Sequence, residues 1–136
     1  MREHDLKRVE RELRIELPRK YREFMLAYPF SSCSWAGDLA TPDDPDLLID
    51  LNREVRELPP GIRLTDVVFI GSDGRETDYF IRLADAWSGV EAYHLGTHRV
   101  TTLAKTFDDW ISQLTVANQA DATAHQRTRK WWQFWK

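Results

Sequence analysis

Phe69-Ile70-Gly71-Ser72-Asp73-Gly74, preceded by Val67-Val68 and followed by Asp78-Tyr79-Phe80-Ile81, is the stretch on which the reading of this chain turns. Val67 to Ile70 is a short unbroken apolar run that ends in a Gly-Ser-Asp-Gly cluster. This is the signature of a buried strand running into a turn, and Asp-Gly is a strong turn signal. Beyond the turn, Tyr79, Ile81 and Leu83 alternate with Phe80 and Arg82 as a second strand, in which both Tyr79 and Phe80 can be buried. Strands joined by so short a link must be antiparallel, because a parallel crossover needs a dozen residues or more. The two glycines do not make a phosphate-binding loop. Neither the Lys-Ser/Thr ending nor the dinucleotide spacing is present.

Toward the C-terminus, Ala84 to Gly89 turns the chain, and Val90–Leu95 and His98–Leu103 flank Gly96-Thr97 as a hairpin. Thr106 and Asp109 fit a capping box, after which Phe107, Trp110, Ile111 and Leu114 form one apolar helical face. Val116 to Gln126 is alanine-rich and lacks a large apolar stripe. Toward the N-terminus, Leu6, Val9 and Leu13 share one face of a first helix. After Leu17-Pro18, residues Tyr21, Phe24, Met25 and Tyr28 share a face of a second, which Pro29 stops. Residues 30–46 read as loop. Leu47 to Leu51 reads as a short strand, continued by a helical turn or two through Leu58 and ended by Pro59-Pro60-Gly61. The expected fold is α+β: two N-terminal helices, a central, largely antiparallel sheet, and a C-terminal helix packed on the sheet.

Composition narrows the class of protein. The chain has 136 residues, 42% apolar and 30% charged, which suits one folded core and not disorder. No apolar run reaches the length of a membrane span, and Met1-Arg2-Glu3-His4-Asp5 does not read as a secretory leader. A single cysteine, Cys33, fits a reducing compartment, so a cytoplasmic location is expected. Residues 1–126 hold fifteen basic and twenty-two acidic side chains, a net of −7. Arg127, Arg129, Lys130 and Lys136 then add four positive charges. A body of that sign is poorly suited to phosphates, so no direct nucleic-acid partner is expected, whereas a basic protein surface would be steered toward it.

Three stretches together carry a family resemblance. Ile15-Glu16-Leu17-Pro18 with Tyr21, Phe24 and Tyr28 gives a helix, Leu-Pro, Tyr, Phe entry. Phe69 to Gly74 followed by Asp78-Tyr79 gives a central Ile-Gly, Asp-Gly, Asp-Tyr region. Phe107-Asp108-Asp109-Trp110-Ile111 resembles a Phe-x-x-Trp-Leu start of a closing helix. In this order, over residues 5 to about 115, the chain resembles the SUKH superfamily, whose members include a yeast regulator of cell-wall synthesis and many bacterial immunity proteins. It departs from the pattern at Pro29-Phe30 and at Glu76-Thr77. The resemblance implies a SUKH-like domain over 1–115 with a C-terminal extension over 116–136. It also implies a binding fold without a shared catalytic centre and, in bacteria, the neutralisation of a toxic nuclease or similar effector by direct contact. A regulatory or scaffold module with a membrane-surface or self-docking tail is the alternative, and a small hydrolase using His94 or His98 with the aspartates is a third.

Individual residues are weighed on that basis. Asp38, Asp43, Asp44, Asp46, Asp50, Glu54 and Glu57 make an acidic stretch compensated only by Arg53 and Arg56. It is either a solvated surface or the contact face for a basic partner. Trp35 and Trp87 fall in expected loops, as interface anchors or as lids over the core. Gly71, Asp73, Gly74 and Asp78 are assigned to turn structure, since their spacing fails the calcium-loop template. His94 and His98 lack a third ligand for zinc, Cys33 lacks a visible base, and no cofactor is expected. The tail Lys130-Trp131-Trp132-Gln133-Phe134-Trp135 pairs aromatics with cations. It suits a peripheral anchor on anionic lipid, a groove of its own domain, or a neighbouring copy in a homodimer.

Overall fold

A computed structural model describes residues 1–31, 34–84 and 89–119 of the chain. Four strands form one antiparallel sheet in the order β1-β2-β3-β4: β1 Val67–Ser72, β2 Thr77–Arg82, β3 Val90–His94 and β4 Val100–Ala104. Each strand pairs with its chain neighbour, as the short links require. The register of β1 on β2 slips between Phe69 and Gly71. The bulge leaves Val68 and Ile70 packed on one face of the sheet and Val67 and Phe69 on the other.

Helices cover the first face. Helix α1, Glu3–Leu13, buries Leu6 and Val9 and ends on Arg14 in the left-handed region, φ 55°. Helix α2, Arg19–Leu26, buries Tyr21 and Met25, and Pro18 precedes it as its cap residue. Arg22 on α2 is ion-paired to both Glu3 and Glu10 of α1, and Glu10 also accepts the Leu17 N–H at 2.9 Å. One carboxylate thus fixes the Leu-Pro corner between the two helices. The closing helix, α4, is described over residues 107–119. Thr106 caps it by accepting the Asp109 N–H at 3.1 Å, and Phe107, Trp110 and Leu114 are buried against the sheet. Trp110 meets Tyr79 edge-on at 4.9 Å between ring centroids, and Phe107 lies edge-on to Phe24 at 5.5 Å.

Residues 30–58 depart from the sequence expectation. The expected loop contains a π-helix, Ala36–Ala40, and the expected strand at Leu47–Leu51 lies inside α3, Pro45–Arg53. Asp44 caps α3 by accepting the Asp46 and Leu47 N–H groups, and Pro45 occupies its first turn, where a missing N–H costs nothing. Leu48 and Ile49 then face the core. Residues 54–63, expected to begin with helical turns, contain no helix or strand.

That 54–62 segment is a strap across the second face of the sheet. Leu58 and Ile62 pack on the small aromatic cluster of Val67, Phe69, Phe80 and Tyr93. Arg56 is buried there. Its Nε donates to Asp78 Oδ2 at 3.0 Å, and its guanidinium carbon stands 3.8 Å from the centre of the Phe69 ring. Asp78 lies in β2, with its side chain 7% exposed, and not in the turn to which the sequence assigned it.

Candidate functional site

Gly71 sets the position of the site. A β-carbon there would stand 1.9 Å from the Ala40 carbonyl oxygen, so only glycine lets the π-helix close onto the bulged end of β1. Gly37 does the same on the other side of the π-helix, where a β-carbon would stand 2.0 Å from the Ser31 carbonyl oxygen. Held this way, the π-helix forms one wall of an open cleft of about 390 Å³. The segment just after α2 and the start of α3 form the others, and the lining is Tyr28, Phe30, Gly37, Asp38, Pro42, Asp43, Asp44, Pro45 and Leu47.

Three carboxylates stand around an apolar floor, and among the described residues the lining contains no lysine or arginine. Asp38 is exposed. Asp43 is ion-paired to the Met1 amino group, and Asp44 holds the start of α3. Tyr28 donates its hydroxyl to the Thr41 carbonyl at 2.5 Å. Burial pushes that hydroxyl's pKa up, and the nearby charges of Asp43 and Asp38 push it further, so it stays a neutral donor. Leu47 is 44% exposed at the rim, and Leu39 on the π-helix is 37% exposed.

Of the seven acidic residues singled out in the sequence, the fold brings Asp38, Asp43 and Asp44 together at this cleft. Asp46 turns away, along α3, to pair with Arg8 of α1, and Arg53 two turns later pairs with Glu12 at 2.8 Å. Asp50 is exposed on α3. Glu54 accepts from Arg56 at 3.3 Å, and Glu57 lies on the strap, where its N–H donates to the Tyr93 hydroxyl at 3.3 Å. A helix beginning at Pro45 explains the split: Asp43 and Asp44 precede it at the cleft, while Asp46 and Asp50, four residues apart within it, share a helix face. Trp35 is half-buried against the main core at the start of the π-helix, in the lid-like arrangement and not as an exposed anchor. Trp87, Cys33 and the tail residues Lys130, Trp131, Trp132, Phe134 and Trp135 lie outside the described residues.

The other candidates have clear local partners. Asp73 Oδ1 accepts the N–H groups of Arg75, Glu76 and Thr77, and Gly74 follows it at φ 77°, building the β1–β2 connection. Burial pushes the Asp73 carboxyl up, but these donors outweigh it and hold the pKa below the ordinary carboxylate range. His94 lies between Thr101 at 2.9 Å and Thr77 at 3.4 Å, while His98 lies 2.8 Å from the Tyr93 hydroxyl. The histidines therefore do not converge, and among the described residues no group of histidine, cysteine and carboxylate side chains could hold a metal ion. No helix of the described residues is long and apolar enough to cross a membrane.

Sequence reasoning missed Phe30 and Leu47 as parts of this surface, although the glycines at 37 and 71 were a usable signal of close backbone approach. Compared with known proteins, residues 2–113 match the sequence profile of the SMI1 / KNR4 family (SUKH-1). Neither the curated proteins nor the solved structures gave a match.

Proposed function

The chain belongs to the SMI1 / KNR4 family (SUKH-1), and on that premise we propose that it is a protein-binding module of the immunity type, which neutralises a basic effector by direct contact through the acidic cleft. The observation that supports this is the gathering of Asp38, Asp43 and Asp44 around the apolar floor of Tyr28, Phe30 and Leu47, with no lysine or arginine in the lining among the described residues. Such a surface suits a protein whose own groove is positive, as in an enzyme that acts on nucleic acid. The carboxylates mainly steer encounter and reject partners of the wrong sign, while Leu47 and the neighbouring rings supply apolar area for the bound state. The cleft alone is smaller than a standard interface, so flanking parts of α3 and the π-helix belong to the contact as well. The protein acts in this reading by covering a surface, not by turning over a substrate, and it does so in the cytoplasm.

The test is co-purification with the product encoded beside its gene. A stable complex at micromolar concentration is the expected result, with Asp38→Lys slowing association and flattening its salt dependence. Leu47→Glu should instead speed dissociation. Absence of a complex with a neighbouring toxin-like protein removes the immunity reading.

A further inference from the structure

Helix α4 carries the chain to the wall of the acidic cleft. Near its last described turn, Asn118 Oδ1 accepts the Ala36 N–H at 3.3 Å, and the next two π-helix residues, Gly37 and Asp38, line the cleft. Residues 120–136 follow, and from Arg127 onward they hold four cations, four large aromatics and no acid. The cleft has the complementary chemistry: carboxylates at Asp38, Asp43 and Asp44, with Tyr28, Phe30 and Leu47 between them. Reach is ample. Extended chain advances roughly 3.3 Å per residue, so the steps from Gln119 to Trp131 span about 40 Å, against a radius of gyration of about 13 Å for a domain of this size.

We propose that residues 127–136 dock in cis into this cleft, as a tethered competitor for whatever the cleft binds. Cations meet the exposed Asp38 carboxylate, with Asp43 and Asp44, held by Met1 and by the start of α3, adding to the negative potential, and an aromatic side chain seats on the apolar floor. Tethering makes such a contact effective even where its intrinsic affinity is weak, because the local concentration of a short tethered segment is on the order of mM. An outside partner must then displace the tail, so the tail sets a threshold for engagement. This does not depend on the immunity reading, since it concerns only the cleft and the chain's own end. A second copy and an anionic membrane surface are the competing destinations.

The full-length chain carrying a photo-cross-linking phenylalanine analogue in place of Trp132 separates them. An equimolar mixture of isotopically light and heavy chains, irradiated at low micromolar concentration, should give cross-links within single chains to residues 28–47. Their yield should fall several-fold with Asp38→Lys, which should leave the thermal unfolding curve unchanged because the side chain is exposed, and should fall again on raising the salt. Mixed light–heavy cross-links assign the tail to a second copy and overturn the proposal. Cross-links elsewhere on the domain, or a yield indifferent to Asp38→Lys, overturn it too. So does a chain that gives no cleft cross-link yet co-sediments with vesicles containing phosphatidylserine. None of these outcomes bears on whether the neighbouring gene product is bound, which the co-purification decides separately.

Discussion

The two faces of the sheet are closed by different physics. On one, α1, α2, α3 and α4 lay apolar side chains spaced at helical period over Val68, Ile70, Tyr79, Ile81 and Ala92. That face is large, and any one contact is a small share of it. On the other, four buried residues are covered by Leu58 and Ile62 of a strap without regular structure, with Leu51 of α3 and Val100 of β4 at its sides. One charged side chain pins the strap: Arg56 lies over Phe69 and is bonded to Asp78. Distributed apolar burial tolerates local loss. A cover held by a buried ion pair does not, because removing either partner leaves the other charged and out of water.

The sharpest way to break the second face is therefore Arg56→Ala or Asp78→Ala, each of which should cost about 3–5 kcal/mol of unfolding free energy. Denaturant titration measures this, and proteolysis within 54–62 should accelerate in step. Replacing both partners at once with Met and Leu should cost much less than the two losses added together. A double variant as unstable as that sum would mean that the pair acts independently and that the strap is held some other way. Next in size is Asn52→Ala. This side chain closes the outer edge of β1, accepting the Phe69 N–H at 2.7 Å and donating to the Phe69 carbonyl at 2.8 Å. Its removal should cost about 1–3 kcal/mol.

The Asp73 carboxyl in the turn between β1 and β2 should give stability a pH dependence of definite sign. The folded-state pKa of Asp73 is depressed, so its contribution is present above the ordinary carboxylate value of about 3.9 and is lost as pH falls through the folded value. Asp73→Ala should remove about 1 kcal/mol at neutral pH and flatten the acid limb of the stability curve. Unchanged acid unfolding would assign that limb to other carboxylates.

Legibility in the sequence follows the same division. Strands, hairpins and three of the four helices were readable because their signals are local: alternation, an Asp-Gly turn, a Thr cap, a Pro after Leu17. Helix α3 was not, since Leu47-Leu48-Ile49-Asp50-Leu51 suits a strand or a helix equally well by pattern. Asp44-Pro45, one cap and one first-turn proline, held the answer. Arg56 looked solvated among acids, and nothing local announces a partner 22 residues away. The cleft was half readable. The acidic stretch stood out, but the sorting of Asp38, Asp43 and Asp44 from Asp46, Glu54 and Glu57 needed the helix boundaries. It also needed the close approach at Gly71, which ties the π-helix to the sheet.

The smallest effects sharpen the comparison most cleanly, because one chemical change is made on each face. Tyr21 and Tyr93 are both buried tyrosines, 0% and 1% exposed. On the helix face, the Tyr21 hydroxyl has no hydrogen-bond partner among the described residues, and burial pushes its pKa up. On the strap face, the Tyr93 hydroxyl accepts the Glu57 N–H and sits 2.8 Å from His98 Nδ1. Deleting an unsatisfied hydroxyl relieves a desolvation cost, so Tyr21→Phe should leave stability unchanged or raise it by up to about 1 kcal/mol. Deleting a bonded one strands the Glu57 N–H, so Tyr93→Phe should lower stability by about 1 kcal/mol. Opposite signs in paired thermal melts would mark the strap face as the one organised by polar contacts. Equal losses would mean that Tyr21 has a partner after all, and that the helix face also depends on a specific hydrogen bond.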